Sequence, residues 1–337
     1  TSMHRLLLLL PLLLLAACNA DDADDAAAGD AAAADADGPL VVYSGRSQSL
    51  VEPIIERFEA DTGIEVEVRY GETPQLAIAL DEEGAQSPAD VFWAQDAGAL
   101  GAVSASLMPL PDSVLQRVPA RFQGSDERWV AVSGRARTLA YAPARVDAAA
   151  LPQSVFDLAD PAYRGRVGWA PQNASFQAFV TAMREAVGED STRAWLQAMR
   201  ENEAQAYPKN TAIIEAIAAG EVDLGLPNHY YLLRFKAENP DYPVEQTTFA
   251  AGDVGNLINV AGVGVLRSSP RPQAALRLLG YLLSDAAQQY FVEETREYAV
   301  AGEGVPADLR AAAPDLDLAE LADLEGTLQL LREEDLL

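Results

Sequence analysis

The chain has 337 residues, with 51 acidic and 24 basic side chains and a formal net charge of −27. This excess of negative charge argues against nucleic acid or an anionic membrane surface as a binding partner. Because Cys18 is the only cysteine, an internal disulfide and thiolate chemistry in the rest of the chain are excluded. Nearly all the basic residues are arginines, a composition typical of GC-rich or salt-adapted proteomes, so the acidity alone does not indicate a cation receptor.

The first 38 residues have the composition of an export signal followed by a tether. The apolar run LLLLLPLLLLAA (6–17) follows Arg5 and is shorter than the ~20 residues that a membrane-spanning helix needs. It ends in small residues and Cys18, a pattern that resembles the lipobox of bacterial lipoproteins. We therefore expect a signal peptide over residues 1–17 and lipidation of Cys18. Residues 18–38, rich in alanine and aspartate, are expected to form a disordered tether.

From residue 40 onward, strand and helix patterns alternate. The predicted elements are LVVY (40–43), a helix from about Ser49 to Gly63, IEVEVRY (64–70), a helix over 75–84, and ADVFWA (89–94). This β-α-β-α-β order predicts a parallel sheet with helices on its faces, in which ligands bind at the carboxyl ends of the strands. Residues 43–47 follow the first strand at such an end.

The rest of the chain predicts a second α/β unit between two long extended segments, WVAVSGRARTLAYAP (129–143) and NLINVAGVGVL (256–266). The predicted elements are strands over 166–172 and 222–227, helices over 175–188, 191–202, 211–220 and 272–294 with a break at Ser284, and a last helix from near Asp317. The body exceeds what one core usually covers, so two lobes are expected. We assign residues 39–135 to lobe 1, completed by 258–305, and residues 136–257 to lobe 2, completed by 306–337. Two α/β lobes joined by extended crossings predict the type II periplasmic-binding-protein fold.

Six separated stretches carry a resemblance: VVYSGRSQSLV, FEADTGIEVEVRYG, QLAIALDEEGAQSPADVFWAQDAGAL, VSGRAR, YPKN and LPNHYY. In order and spacing, from about Leu40 to about Gly304, they resemble the bacterial ferric-ion-binding proteins that serve iron ABC transporters. The resemblance implies a monomeric, non-catalytic lipoprotein that delivers iron to a permease and its ATPase. It also implies a location in the cell envelope, in the periplasm or on the outer face of the cytoplasmic membrane.

In that family the consecutive tyrosines after an asparagine are both iron ligands, which implies this role for Tyr230 and Tyr231. The chemistry agrees, because a hard trivalent cation prefers oxygen donors and a phenolate is a strong one once its proton is displaced. The alternative is that the pair belongs to the core and the lobe surface. The chain departs from its relatives at Ser47, where many have histidine, and at Gln95, where many have glutamate. Phe176 stands where some relatives have a further tyrosine.

Two phenolates leave about four of the six positions of an octahedral ion to anions and water. The resemblance implies a synergistic anion, carbonate or bicarbonate, which Arg135 can grip in bidentate fashion. Helix N-termini and hydrogen-bond donors add further candidates for anion binding: Ser44, Arg46, Ser47, Asn173, Ser175, Asn210 and Asn228. Ser175 could instead be only a helix cap, and Arg46 could be solvated. Gln95 stays a candidate near the metal, and His229 is expected beside the site or at the surface.

Other functions remain open from the sequence alone. A receptor for a phosphonate, a polyamine or thiamine would share the opening strand and the ADVF segment, although the arginines favour an anion over a polyamine. An enzyme of the hydroxymethylbilane-forming type needs a cysteine for its cofactor, and here the single cysteine is assigned to the anchor. Neither a Ser-His-Asp set nor a phosphate-binding loop is present. A tethered iron sensor would use the same site and differ only in its partner.

Overall fold

A computed structural model describes residues 35–301, 307–318, 321 and 323–337. The predicted signal peptide, Cys18 and nearly all of the predicted tether lie outside these residues. The helices are α1 Gln48–Thr62, α2 Thr73–Glu83, α3 Ala97–Ala102, α4 Asp112–Leu115, α5 Ala174–Val187, α6 Glu189–Glu201, α7 Asn210–Ala219, α8 His229–Glu238, α9 Pro272–Leu282, α10 Asp285–Tyr290, α11 Ala307–Ala312 and α12 Leu324–Glu333. The strands are β1 Leu40–Ser44, β2 Val66–Tyr70, β3 Val91–Ala94, β4 Val130–Ala136, β5 Leu139–Tyr141, β6 Val167–Trp169, β7 Gln205–Ala206, β8 Leu224–Gly225, β9 Glu245–Thr247 and β10 Ile258–Val265.

The first sheet has the strand order β2-β1-β3-β10-β4. Strand β1 runs parallel to β2 and β3, as the β-α-β-α-β pattern predicts, whereas β10 is antiparallel to β3 and β4. Every residue of β3, β4 and β10 is buried, which explains their nearly continuous apolar sequences. The turn after β1 therefore lies at the carboxyl end of the parallel strands.

The second sheet has the order β7-β6-β8-β5-β9. Strand β6 is parallel to β7 and β8, and β5 is antiparallel to β8 and β9. The predicted strand over 222–227 is reduced to Leu224–Gly225, because Pro227 has no N–H to extend the ladder. Strand β8 leads directly into α8, which brings the tyrosine pair to the end of this sheet.

Two extended segments pass between the sheets. Strands β4 and β5 are separated by only two residues, Arg137 and Thr138, yet β4 belongs to the first sheet and β5 to the second. The chain returns from β9 in the second sheet to β10 in the first. The two predicted crossings are thus present as β4–β5 and β9–β10.

The C-terminal part differs from the sequence prediction. The break at Ser284 is present, since its side chain accepts a hydrogen bond from Ala287 N and caps α10. The last helix begins at Leu324 rather than near Asp317, because Asp323 provides its N-cap by accepting from Gly326 N. In the part of the chain that the structure describes, no helix is long and apolar enough to cross a membrane.

Candidate functional site

The start of α8 places Tyr230 and Tyr231 together. Asn228 holds an extended N-cap conformation, and the helix begins at His229, so both tyrosines lie in the first turn. Their rings stack with centroids 4.1 Å apart and planes inclined by 30°. Tyr230 is only 5% exposed, whereas Tyr231 is partly exposed. Two phenol groups are therefore close together at the end of the second sheet.

His229 is buried and fully engaged, rather than at the surface. Its Nδ1 accepts from Ala136 N at 3.2 Å, so its Nε2 carries the proton and donates to Arg296 O at 2.9 Å. The ring also stacks on Tyr298 with centroids 3.9 Å apart. Burial lowers the pKa of His229 to about 4, so the ring is neutral at pH 7. With both nitrogens occupied, His229 orients α8 and has no free nitrogen for a metal.

Tyr230 lies in a strongly desolvated environment that also contains charges. Burial and the neighbouring phenol of Tyr231 raise the pKa of Tyr230 well above its usual value of 10, whereas Arg46 and Arg135 act in the opposite direction. The phenol is therefore protonated in the metal-free protein at neutral pH. A cation that binds there must displace the proton.

Arg46 forms a buried ion pair with Glu297. Arg46 Nη2 lies 2.5 Å from Glu297 Oε1, and both side chains are less than 5% exposed, so Arg46 is not solvated. Burial alone would lower the pKa of Arg46, but Glu297 and the two tyrosines raise it overall. No local sequence pattern indicated Glu297, because 251 positions separate it from Arg46. Its presence is a finding of the structure.

Arg135, on β4, lies near Arg46, Glu297 and Tyr230. Its Nη2 donates to the main-chain oxygen of Gln95, while its Nη1 is buried without a hydrogen-bond partner among the described residues. Burial and the neighbouring Arg46 lower the pKa of Arg135. An unpaired buried N–H is costly, and an anion would satisfy it.

Arg137 is a third buried guanidinium that the sequence analysis missed. Its Nη1 donates to Leu226 O, its Nη2 donates to Ser175 O at 2.7 Å, and its Nε has no partner in the described part of the chain. Burial and Arg135 lower the pKa of Arg137 to about 9, so it remains charged at pH 7. Its position two residues after Arg135 on an extended segment was the available signal, since alternate residues share a face.

We call Arg46, Arg135 and Glu297 the charged wall, and Asn173, Ser175 and Asn210 the neutral wall. In the neutral wall, Asn173 Oδ1 caps α5 by accepting from Ser175 N at 3.1 Å, and it also accepts from Ser175 Oγ at 2.6 Å and Asn210 Nδ2 at 3.2 Å. Asn210 Oδ1 accepts from Asn228 N at 3.0 Å. These predicted anion-binding groups are close together, but they bond chiefly to one another.

The remaining candidates lie near the turn after β1. Ser44 Oγ accepts from Arg46 N at 3.2 Å and so shapes this turn, whereas Ser47 is exposed at the N-cap of α1 without a capping side-chain bond. A cavity of about 450 Å³ is lined by Arg46, Ser47 and Gln95, together with Tyr70 and Glu72. A polar cavity thus lies beside the turn after β1, next to the charged wall.

Phe176 occupies a core position. Its ring packs edge-on against Trp169 and Phe179, with centroids 5.7 Å and 5.6 Å away. The guanidinium of Arg137 lies over the Phe176 ring at 5.6 Å. Phe176 therefore supports Arg137 from behind and offers no oxygen to a ligand.

The chemistry of the site follows from these donors. No group of three or more His, Cys, Asp and Glu side chains among the described residues could hold a metal ion. Tyr230 and Tyr231 are then the paired oxygen donors available to a hard cation, and the three guanidinium groups beside them attract anions. The arrangement suits a cation and an anion that bind together.

Sequence comparisons agree with this geometry. Residues 53–315 match the family described as bacterial extracellular solute-binding protein. The chain is 34% identical to the Fe(3+)-binding periplasmic protein of Serratia marcescens, over 91% of this chain and 93% of the relative. It is 30% identical to the major ferric iron-binding protein of Neisseria meningitidis serogroup B, over 87% and 92%. The resemblance read from the six sequence stretches is confirmed.

Solved structures confirm the bilobed fold. Iron-bound HitA from Pseudomonas aeruginosa matches with a TM-score of 0.82 and 31% identity, over 88% of this chain and 99% of HitA. FutA from Trichodesmium, solved with iron and citrate, matches with a TM-score of 0.77 and 27% identity, over 88% and 99%. The first of these structures contains iron, and the second contains iron and citrate.

Proposed function

Because this chain belongs to the bacterial extracellular solute-binding proteins, which are transport proteins rather than enzymes, we propose that it captures ferric iron for an uptake system. More specifically, Tyr230 and Tyr231 bind the ion as phenolates, a synergistic anion completes its coordination, and an ABC permease with its ATPase receives it. The single observation that carries this proposal is the stacked pair of phenol groups beside three buried guanidinium groups.

Binding and release depend on protons in this mechanism. Each phenol must lose its proton to bind iron, and the pKa of Tyr230 is raised well above 10 by burial. Iron binding therefore releases protons, and affinity falls as the pH falls. Acidification or removal of the anion would both favour release.

Charge balance supports a dianion such as carbonate. Arg46, Arg135, Arg137 and a ferric ion together carry six formal positive charges. Glu297, the two phenolates and Asp96, whose carboxylate caps α3 and lies near Arg135, carry four negative charges when ionised. The two charges that remain are neutralised by one carbonate, for which the unpaired Nη1 of Arg135 is the best-placed donor. Gln95 and Ser47 line the adjoining cavity, where solvent or the anion can complete the coordination.

We propose in addition a division of the chain into two lobes. Lobe 1 comprises residues 39–135 completed by 258–305, and lobe 2 comprises 136–257 completed by 306–337. The membership of β10 in the first sheet and of β5–β9 in the second supports this division. The salt bridges from Arg184 and Arg193 to the C-terminal residues support the assignment of the last helix to lobe 2.

The location of the protein follows from its family, whose members are exported. We propose in addition that Cys18 carries a lipid that anchors a monomer in the cell envelope. The lipobox-like sequence before Cys18 supports this proposal. Incorporation of labelled fatty acid into the parent but not into a Cys18→Ser variant would test the anchor.

The experiment that tests iron capture is a visible absorption titration of the metal-free protein with ferric ion and bicarbonate. The parent should develop a phenolate-to-iron charge-transfer band, and the Tyr230→Phe, Tyr231→Phe double variant should not. A matched control is the Tyr207→Phe, Tyr242→Phe double variant, since Tyr207 and Tyr242 also lie in lobe 2 and Tyr242 is also stacked on a ring. The control should keep the band.

The opposite result has a defined meaning. If the parent shows neither the band nor tight ferric binding, the tyrosines are core residues and iron capture is wrong. Binding of a small anionic solute such as a phosphonate would then be the alternative, because the three buried guanidinium groups favour an anion in either case. The same groups disfavour a polyamine by charge repulsion.

A further inference from the structure

Glu297 lies near Tyr230 and connects its own segment to the turn after β1 and to strand β4. Its Oε1 accepts from Arg46 in the turn after β1, and its Oε2 accepts from Ser133 Oγ of β4 at 2.9 Å. Glu297 itself follows a π-helical turn, Phe291–Thr295, and is 2% exposed. This carboxylate is fixed by its partners and closed off from solvent.

The ion pair with Glu297 makes Arg46 and Arg135 unequal as donors to an anion. Arg46 is held by Glu297 while its charge acts on both tyrosines. Arg135 has no carboxylate partner at hydrogen-bond distance in the described part of the chain, and its Nη1 is left without a partner. Arg135 is therefore the main hydrogen-bond donor to the exogenous anion. Glu297 competes with that anion for Arg46.

We propose that Glu297 is a positioning and specificity-determining residue that sets the charge of the anion accepted with iron. It does so by occupying Arg46 and by contributing one buried negative charge next to the ligands. This inference rests on the proposed function. Beyond that function, it predicts that the anion preference can be changed by a residue that touches neither iron nor the anion.

The charge argument gives the direction of the effect. With Glu297 ionised, the site with ferric iron has two uncompensated positive charges and favours a dianion. A Glu297→Gln variant keeps one oxygen that can accept from Arg46, and its amide N–H can donate to Ser133 Oγ, so the shape is preserved while one negative charge is lost. The site then has three uncompensated positive charges and favours a trianion.

The experiment measures ferric binding in carbonate, oxalate and citrate, using the charge-transfer band. Carbonate and oxalate test dianions of two shapes, and citrate tests a trianion. Citrate also chelates iron in solution, so the measured quantity is the ratio between variant and parent in identical mixtures, in which that competition cancels. We expect Glu297→Gln to shift the citrate-to-carbonate and citrate-to-oxalate affinity ratios toward citrate by about tenfold.

A structural control is available at the opposite end of the same sheet. Asp90 at the start of β3 is also buried and also pairs with an arginine and a serine, since Arg271 Nη1 and Ser269 Oγ donate to it at 3.0 and 2.6 Å. An Asp90→Asn variant removes the same kind of charge away from the tyrosines. It should leave the anion preference unchanged even if it destabilises the fold.

A double variant separates charge from structure. Arg46→Gln with Glu297→Gln removes one charge of each sign, so its anion preference should return to within about threefold of the parent. Arg46→Gln alone should shift the preference away from citrate. If Glu297→Gln alone does not fold, the effect of Glu297 is read from the difference between Arg46→Gln and the double variant.

The outcomes distinguish this inference from the proposed function. A ferric band in the parent with an unchanged preference in Glu297→Gln, or a preference that stays shifted in the double variant, would overturn the role of Glu297 alone. No ferric band in the parent would overturn the proposed function and this inference with it. A shift in Asp90→Asn as large as in Glu297→Gln would show a general effect of buried charge and also overturn it.

Discussion

The charged wall acts on the tyrosines through its charges, and the neutral wall acts on them through the N-cap residue Asn228, but the two walls differ in how their hydrogen bonds are satisfied. In the neutral wall, Asn210 donates to Asn173 and Ser175 and accepts from Asn228 N. In the charged wall, Arg135 keeps an N–H that has no partner among the residues that the structure describes. One wall is internally complete, whereas the other contains donors that a ligand would satisfy.

This difference separates residues that build the site from residues that recognise the ligand. The neutral wall fixes Asn228, the N-cap of α8, and thereby the first turn that carries the tyrosines. The charged wall accumulates cations with too few anions, which is unfavourable until an anion arrives. We therefore expect substitutions in the two walls to affect different measurements.

The largest expected effect comes from removing the free donors of the charged wall. In Arg135→Met, the anion loses its main donor, and ferric affinity in bicarbonate should fall about a hundredfold. The affinity should also become independent of bicarbonate in absorption titrations. Arg135→Lys keeps the charge but loses the bidentate guanidinium geometry, so its ferric affinity should lie between those of the parent and Arg135→Met. Bicarbonate dependence that survives in Arg135→Met would show that the anion binds elsewhere.

The next effect is on stability and comes from the neutral wall. Asn210→Ala leaves the buried N–H of Asn228 without its acceptor, so the free energy of unfolding should fall by about 2 kcal/mol in urea denaturation. Ferric affinity should change by no more than about threefold. Asn239→Ala, at an exposed position, should change stability by less than about 0.5 kcal/mol. A loss of ferric affinity like that of Arg135→Met would remove the distinction between the walls.

A smaller effect should follow from adding a hard donor beside the charged wall. Gln95→Glu places a carboxylate in the cavity that Arg46 and Ser47 also line, so ferric affinity should rise about tenfold and depend less on bicarbonate. Gln116→Glu adds the same charge at an exposed position of the first lobe and serves as the control. Equal changes in the two variants would indicate a general charge effect and no contact with the metal.

The effect that is smallest near neutral pH concerns His229, which connects α8 to β4 and to Arg296. Its pKa is lowered to about 4, so the unfolded chain takes up the proton below about pH 6.5 while the folded protein does not. This contribution reduces stability as the pH falls, by less than about 1 kcal/mol at pH 6 and more below it. In His229→Asn, the free energy of unfolding of the metal-free protein should fall less steeply between about pH 6.5 and 4.5. Parallel slopes for variant and parent would contradict this prediction.

Local patterns were sufficient to predict most of the fold. Gly63 ends α1 in a left-handed conformation, as its position after an amphipathic stretch predicts. The strands predicted on either side of this helix, over 40–43 and 64–70, pair with each other. The last helix was misplaced, because Asp317 and Asp323 are both suitable N-caps and only tertiary packing selects between them. The length of β8 was overestimated because the strand-like sequence pattern continues to Pro227.

The site was predictable only where its residues are close in sequence or belong to a known motif. The adjacent positions of Tyr230 and Tyr231 and the LPNHYY motif made them a candidate pair, and the structure shows their rings stacked. Which donors are already satisfied could not be read from the sequence, since Asn173 and Asn210 meet through contacts between elements far apart in the chain. The same reason hid the ion pair of Arg46 with Glu297.

The short link between β4 and β5 has a mechanical consequence. Arg135 and Arg137 are separated by Ala136 alone, yet the first bonds to Gln95 of lobe 1 and the second to Leu226 of lobe 2. A rotation of the lobes about this link would move the two guanidinium groups in different directions, because each is bonded to a different lobe. The distance between Arg135, the main donor to the anion, and Arg137 would therefore depend on the angle between the lobes.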